Sequence, residues 1–240
     1  MHSSSTKGIG HPGDPPSLLP LGEKRTAQLL RAAATFSETT GGCHGTDHAD
    51  RVHQTALYMG RAMEARLDIL SAAALLHDIG RADESASRGT ICHAARGAEL
   101  SRPLLVKLDF TEADVEAICH CIATHRFRDR DNPPESIEAK ILFDADKLDS
   151  IGAIGIGRAF LFAGQVGARL HNAENIDLAT TNPYTEEDTA CREFRIKLSK
   201  IRDLLLTELG REMARDRHQF MELFFHRLET EIKGGSHHDL

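Results

Sequence analysis

A His-Asp doublet, His77-Asp78, ends an apolar run of helical character within residues 75–80 (LLHDIG). This doublet constrains the fold more than any other feature, because it sets an imidazole and a carboxylate side by side where a metal ion can bind both. Adjacent helical residues diverge by about 100°, so the two side chains flank an ion without enclosing it, and Gly80 ends the helix beside them. Further ligands must come from other parts of the chain, and the fold must bring them to this helix end.

His48, before the doublet, and Asp146, after it, are the candidates for the missing ligands. With His77 and Asp78 they give two imidazoles and two carboxylates, a mixed nitrogen and oxygen set. This set suits Mn, Fe, Co, Ni, Zn or Mg, and an octahedral ion would keep positions for water or substrate. The sequence therefore predicts a centre for one divalent metal ion held by these four residues.

The composition indicates one domain that acts on small molecules. With 240 residues, of which 40% are hydrophobic, the chain is long enough for one continuous core. We expect a disordered lead-in over 1–22, a single domain over 23–233 and a flexible tail over 234–240, with neither a secretory signal nor a membrane span. The formal net charge of −7 argues against nucleic-acid polymers as partners and leaves a small anionic substrate open.

The cysteines favour a reducing compartment. The chain contains five of them, an odd number without a CxxC pair, and this fits free thiols better than a disulfide framework. We therefore expect a cytoplasmic protein. The sequence is compatible with an oligomer but does not specify one.

Apolar residues spaced by three or four predict an all-α fold. The predicted helical stretches are 23–38, 47–66, 68–79, 93–108, 111–125, 136–151, 155–167 and 187–233, the last with a break near Gly210. Residues 111–114 (TEAD) resemble an N-terminal capping box. The polar segment 170–188 shows no clear periodicity of apolar residues, so one interpretation is a loop over the site.

Two cations accompany the predicted ligands. Arg51 lies three residues after His48 and shares its helix face, and Lys147 directly follows Asp146. A guanidinium presents a planar donor fork that matches phosphate, so we predict that Arg51 and Lys147 bind the substrate. For Arg51 the alternative is a surface ion pair with Asp47 or Asp50.

The predicted ligands and the blocks around them resemble the HD superfamily of metal-dependent phosphohydrolases over about 42–231. The block 144–156 (DADKLDSIGAIGI) is long and specific, and it looks most like the small single-domain branch. The segments 194–198 (FRIKL) and 217–221 (RHQFM) are also similar to that branch, although an Arg-Ile pair stands where the branch has Tyr-Glu.

The resemblance implies an HD-domain helical bundle with the metal site between core helices. It also implies hydrolysis of a phosphate ester or anhydride by attack of a metal-bound water on phosphorus. A nucleotide is the expected substrate, and relatives in this branch include nucleoside-triphosphate pyrophosphohydrolases, which makes that activity the leading specific expectation. Wider members of the superfamily cleave cyclic dinucleotides, alarmones or monophosphates.

His93 and His125 are similar in position to residues that supply extra ligands in dinuclear members of the superfamily. The resemblance thus implies a second metal as an option, and in a di-iron form the same fold supports oxygenase chemistry. The alternative, of equal weight, is that both histidines contact a substrate phosphate or cap helices. A non-catalytic metal- or nucleotide-binding protein is the remaining functional class.

Acidic residues near the doublet are candidates for general acid-base catalysis. Asp83 and Glu84 follow Asp78 at a distance where some superfamily members place an acidic residue, and Asp149 is comparable. A solvated surface carboxylate is the alternative reading for Asp83 and for Glu84. Asp78 itself has a predicted catalytic role through the metal.

Overall fold

The computed structural model describes residues 20–36, 46–126 and 132–235, which form helices joined by turns and contain no strand. The all-α prediction is confirmed. Most of the predicted lead-in (1–19) and of the tail (236–240) lies outside the described residues. The α-helices are α1 Gly22–Ala34, α2 Thr46–Ala62, α3 Leu67–Leu76, α4 Arg81–Ala86, α5 His93–Lys107, α6 Glu112–Thr124, α7 Ile137–Leu148, α8 Gly152–Gln165, α9 Ala190–Ile196 and α10 Glu208–Ile232.

Helix α3 is the centre of the bundle. Every residue from 69 to 76 is buried, and α3 contacts α1, α2, α6 and α7. A helix that is apolar on all sides gains most when other helices surround it, so its sequence dictates this central place. As a consequence, the His77-Asp78 doublet, which follows the C-terminus of α3, lies in the interior of the bundle. None of the described helices combines the length and the apolar character that a membrane span requires.

Two glycines bring the turn after α3 against α5. A Cβ on Gly80 would lie 2.2 Å from the carbonyl oxygen of His93, and a Cβ on Gly97 would lie 3.3 Å from the carbonyl oxygen of His77. Both positions therefore need the smallest residue, because the two backbones touch. This close approach sets Asp78 beside the start of α5. The short helix α4, which the periodicity did not predict, follows directly from Gly80.

Hydroxyl caps begin the helices on either side of the site. The side chain of Thr111 accepts a hydrogen bond from the Asp114 backbone N–H at 3.2 Å, as the predicted capping motif requires. Ser136 caps α7 in the same way and accepts from the Ala139 N–H at 3.1 Å. Helix α7 then carries its buried face towards α2, α3 and α6.

The C-terminal region differs from the prediction of one long helix with a break near Gly210. The structure has α9, then a 3₁₀ segment Leu198–Leu204, and then α10, so the break precedes Glu208. The physical reason is a tertiary contact. The buried carboxylate of Asp144 on α7 accepts the backbone N–H groups of Leu206 and Thr207 at 2.7 and 2.8 Å and the Thr207 hydroxyl at 2.6 Å. It thereby fixes the chain just before α10.

The segment 170–188 is tied down by α9. Arg192 donates to the carbonyl oxygen of Thr181 at 2.8 Å and to the Asp188 carboxylate at 2.7 Å, and Thr189 donates to Asn172 at 2.5 Å. These contacts join both ends of the segment to one short helix.

We predict that Gly210→Ala destabilises the protein although alanine is the better helix former. The gain in propensity is about 1 kcal/mol. The new Cβ, however, would lie 2.2 Å from Asp144 Oδ2 and 2.8 Å from Thr207 Oγ1, and it would displace the carboxylate from its donors. Loss of such hydrogen bonds gives a net decrease of about 2 kcal/mol or more in the free energy of unfolding, measurable by urea denaturation.

Gly157→Ala in α8 is the matched control for this prediction. A Cβ at Gly157 would meet no atom within 4 Å, so only the propensity gain remains. We expect an increase of about 0.5–1 kcal/mol in the free energy of unfolding. Equal changes in the two variants would contradict the steric argument.

Candidate metal centre

The four predicted metal ligands converge from three parts of the bundle. His48 lies on α2, His77 and Asp78 follow α3, and Asp146 lies on α7. His48 Nε2 is 3.2 Å from Asp146 Oδ1, 3.3 Å from His77 Nε2 and 3.6 Å from Asp78 Oδ2. His48, His77 and Asp78 thus offer ligand atoms within 4.8 Å of one another. Asp146 lies outside that group of three and adjoins it through His48.

A second group of donors shares Asp78 with the first group. Asp78 Oδ1 is 3.5 Å from His125 Nε2 and 3.7 Å from His93 Nε2, whereas Asp78 Oδ2 faces His48 and His77. Within each group, three side chains offer ligand atoms that all lie within 4.8 Å of one another. One carboxylate thus stands between two sets of imidazoles.

All four imidazoles are held in the same way. Each uses Nδ1 for a short hydrogen bond to an acceptor of the protein, and each directs Nε2 to the space around Asp78. The Nδ1 acceptors are Asp149 Oδ2 for His48 at 2.7 Å, Ala74 O for His77 at 2.7 Å, Glu84 Oε2 for His93 at 2.8 Å and Ile122 O for His125 at 2.6 Å.

A carbonyl oxygen can only accept, so Nδ1 carries the proton in His77 and His125. Their Nε2 lone pairs are then left to face the centre. This is the arrangement by which outer hydrogen bonds orient metal-binding histidines.

Two unpaired polar atoms indicate that a cation fits this space. Asp78 Oδ1 and His125 Nε2 are buried and have no hydrogen-bond partner among the described residues. Buried polar atoms are normally paired, because an unpaired one costs about 1–3 kcal/mol. A divalent ion would satisfy both atoms, and a set of nitrogen and carboxylate donors is one that such ions accept.

The electrostatics of most donors suit a cation, with His48 as the exception. Burial opposes the charge of His48, but hydrogen bonds to Asp146 and Asp149 outweigh it and raise its pKa to about 9, so a cation bound at its Nε2 would displace a proton. Burial lowers the pKa of His77 to about 4, so its imidazole is neutral at pH 7 as a ligand must be. Burial disfavours the charged form of Asp78, but the neighbouring His77 and Arg81 outweigh this and hold the carboxyl pKa well below its usual range. Burial likewise opposes ionisation of Asp146, and Lys147 and His48 overcome it. Both carboxylates are therefore charged.

The two predicted substrate-binding cations lie at the centre but pair with its carboxylates. Arg51 makes a two-pronged contact with Asp149, at 2.6 Å from Nε to Oδ1 and 3.0 Å from Nη2 to Oδ2, and its side chain is 34% exposed. Its partner is thus neither Asp47 nor Asp50. Lys147 donates to Asp146 Oδ2 at 2.6 Å and to the carbonyl oxygen of His125 at 3.2 Å, and its side chain is only 8% exposed.

The structure separates the two acidic residues that follow the doublet. Glu84 joins the centre, since it accepts from His93 and pairs with Arg126 at 3.1 Å. Asp83 pairs with Arg96 on the outside, where its side chain is 40% exposed.

Three arginines at the centre were missed in the sequence. Arg81 Nε is 2.6 Å from Asp78 Oδ2, Arg126 contacts Glu84, and Arg158 Nη1 is 2.7 Å from Asp149 Oδ2. The spacing of three between Asp78 and Arg81 is a signal that could have been used. Arg158 gave no such signal, because it reaches back across the turn between α7 and α8.

Known proteins are similar to this chain in sequence. The HD domain family profile matches residues 45–151, which include all four predicted ligands. The Bacillus subtilis (strain 168) protein YpgQ is 33% identical over 230 residues, which cover 88% of this chain and 96% of YpgQ. Ribonuclease Y of Chloroflexus aurantiacus is 33% identical over 110 residues, 46% of this chain and 19% of that enzyme.

Solved structures agree with the sequence relatives. The crystal structure of B. subtilis YpgQ superposes with a TM-score of 0.66 at 31% identity, covering 88% of this chain and 97% of YpgQ. An HD-superfamily hydrolase from Bacillus thuringiensis has a TM-score of 0.66 at 27% identity, with 88% and 97% covered. The resemblance seen in the sequence is confirmed, and this chain belongs to the HD superfamily of helical, metal-binding hydrolases.

Proposed function

We propose that the protein is a divalent-metal-dependent phosphohydrolase that acts on a small phosphorylated substrate, a nucleotide. The observation that carries this proposal is the convergence of four Nε2 atoms on Asp78, with Asp146 beside His48 and basic side chains around them. In this assignment His48, His77, Asp78 and Asp146 hold the cation. A bound divalent ion supplies Lewis acidity, which activates water and stabilises charge on phosphoryl oxygens.

The charge around the centre supports an anionic substrate. Among the described residues, five cations face four carboxylates there. The cations are Arg51, Arg81, Arg126, Arg158 and Lys147, and the carboxylates are Asp78, Glu84, Asp146 and Asp149. A divalent ion adds to this excess, so the site is positive although the whole chain carries −7. Positioning and charge stabilisation of this kind account for most of phosphoryl-transfer catalysis.

The side chains divide this work. Arg51 is the proposed phosphate contact, because its guanidinium is both fixed and partly exposed. Lys147 is buried against Asp146 and acts through that ligand and through its charge. Glu84, at the edge of the centre, is the proposed general acid-base group, and Asp83 has no part in this proposal because its ion pair with Arg96 lies outside.

A relative supports the choice of a nucleotide. YpgQ has been crystallised in complex with ADP, and that structure superposes on this chain with a TM-score of 0.67 at 30% identity. On the basis of this similarity, we propose that this chain also binds a nucleotide. Hydrolysis of a nucleoside triphosphate to the monophosphate and pyrophosphate remains the leading specific form of the proposal.

A second metal ion is part of the proposal. His93, His125 and Asp78 form a complete second donor group, and Asp78 has one oxygen for each group. Two ions held by these residues would supply charge stabilisation to both the attacking and the leaving oxygen of phosphoryl transfer. The same geometry is the observation that favours the second candidate function, a di-iron oxygenase.

A substrate screen tests the reaction. Purified protein loaded with Mn²⁺ is assayed against nucleoside mono-, di- and triphosphates, with orthophosphate and pyrophosphate measured separately. We expect pyrophosphate from triphosphates, since the excess of positive charge favours a polyphosphate chain. Orthophosphate from monophosphates would indicate a nucleotidase instead, and no release from any compound would favour a binding protein.

We predict that Asp78→Ala abolishes metal binding and hydrolysis together. The substitution removes a ligand from both donor groups and leaves several imidazoles and basic side chains without their central carboxylate. Metal content by mass spectrometry and phosphate release are the measurements, and Asp203→Ala, on the surface, is the control. A fully active, metal-replete Asp78→Ala protein would reject the site.

Metal stoichiometry tests the second ion. We expect two Mn²⁺ per chain in the wild type and one in His93→Ala, because only the second donor group is broken. His226→Ala, at an exposed position of α10, is the control and should keep both ions. One ion in the wild type would contradict the dinuclear centre, and oxygen uptake by iron-loaded protein would support the oxygenase.

A further inference from the structure

Asp149 is the most heavily hydrogen-bonded carboxylate near the metal centre that is not a metal ligand in our assignment. It caps the C-terminus of α7, and its side chain is 4% exposed. Its Oδ2 atom is 2.7 Å from His48 Nδ1, 2.7 Å from Arg158 Nη1 and 3.0 Å from Arg51 Nη2, and its Oδ1 atom is 2.6 Å from Arg51 Nε. Four donor atoms from three side chains on two helices, α2 and α8, thus meet on one carboxylate.

The placement of these donors decides what Asp149 can do. An ionised carboxylate offers about four acceptor positions, two on each oxygen. Three donors lie on Oδ2 and one lies on Oδ1, so the side chain is committed to His48, Arg51 and Arg158. Its contribution must pass through the groups that it holds.

These groups serve two different tasks. His48 is a proposed metal ligand, and its Nδ1–H bond to Asp149 points Nε2 at the cation. Arg51 and Arg158 are basic groups beside His48, and Asp149 accepts hydrogen bonds from both. Since one carboxylate orients all three, a change there would affect the metal and the phosphate at once.

We propose that Asp149 is a positioning residue that links metal binding to phosphate binding, by holding His48 for the cation and Arg51 and Arg158 for the phosphate. The metal part of this proposal rests on the donor geometry, and the phosphate part rests on the proposed function. The carboxylate acts as a common anchor across α2, the end of α7 and α8.

Asp144 provides a matched control. It lies on α7, of which Asp149 is the C-cap, is fully buried, and also accepts several hydrogen bonds through its carboxylate. Its three donors, however, come from Leu206 and Thr207 at the start of α10, away from the donors of the centre. Asp144→Asn and Asp149→Asn therefore make the same chemical change in two equally buried networks, of which only one touches the metal centre.

The test compares two affinities in the two variants. An amide presents an N–H₂ group where the carboxylate accepted, so Asp149→Asn should release His48 and one or both arginines. We expect the dissociation constant for Mn²⁺, measured by calorimetry, to rise about 10–100-fold. At saturating Mn²⁺ we expect the affinity for inorganic pyrophosphate to fall about tenfold or more.

For Asp144→Asn we expect a lower melting temperature, with both affinities within about twofold of the wild type. Wild-type Mn²⁺ affinity in Asp149→Asn would overturn the proposal. Equal losses in the two variants would also overturn it, because they would mean a general structural effect. Weakened Mn²⁺ binding with unchanged pyrophosphate binding would overturn the link between the two tasks.

A measurement on the wild type covers the case in which Asp149→Asn does not fold. The ¹⁵N chemical shifts of His48 in the Zn²⁺-loaded protein report which ring nitrogen carries the proton. We expect the proton on Nδ1 and the metal on Nε2, and the reverse would overturn the proposal. None of these readouts needs turnover, so failure of the hydrolysis assay would reject the proposed function while the metal and shift data still decide the role of Asp149.

Discussion

The structure depends on one carboxylate that is mostly withdrawn from solvent, that of Asp78, which faces four imidazoles and a guanidinium. A charge in the interior of a helical bundle is costly unless donors surround it, and here His48, His77, His93 and His125 and Arg81 supply that surrounding. The helices that carry these groups must therefore end or pass at this point. The bundle is arranged so that its apolar core, centred on α3, leads directly into the polar centre.

Backbone contact makes this arrangement tight. Gly80 and Gly97 let the turn after α3 touch α5, which is why one oxygen of Asp78 reaches His93 and His125 while the other faces His48 and His77. Hydrogen bonds to the Nδ1 atoms then fix the orientation of the four imidazole rings. Two backbone carbonyls and two carboxylates accept these bonds, so the Nε2 atoms are oriented before a metal ion binds.

Local and overall charge have opposite signs in this protein. The chain carries a net charge of −7, yet basic side chains outnumber carboxylates around the centre. Screening limits the reach of distant surface charges to about 8–10 Å, so the few groups near the centre decide which ligand it attracts. This difference between local and overall charge makes an acidic protein compatible with a phosphorylated substrate. It also explains why the net charge of the whole chain argued only against large polyanions as partners.

The sequence by itself determined the helical class and most helix positions, and it pointed to His48, His77 and Asp78, which form one donor group, because apolar periodicity and donor chemistry are local properties. It misplaced the break near Gly210 and missed Arg158, since both depend on contacts between distant segments: Asp144 with residues before α10, and Asp149 with α8. Only the tertiary structure decided that Glu84, and not Asp83, lies at the centre and that Asp149 accepts hydrogen bonds from His48, Arg51 and Arg158. Which side chains become partners depends on the direction in which the chain leaves each turn. The spacing of residues along the sequence does not contain that information.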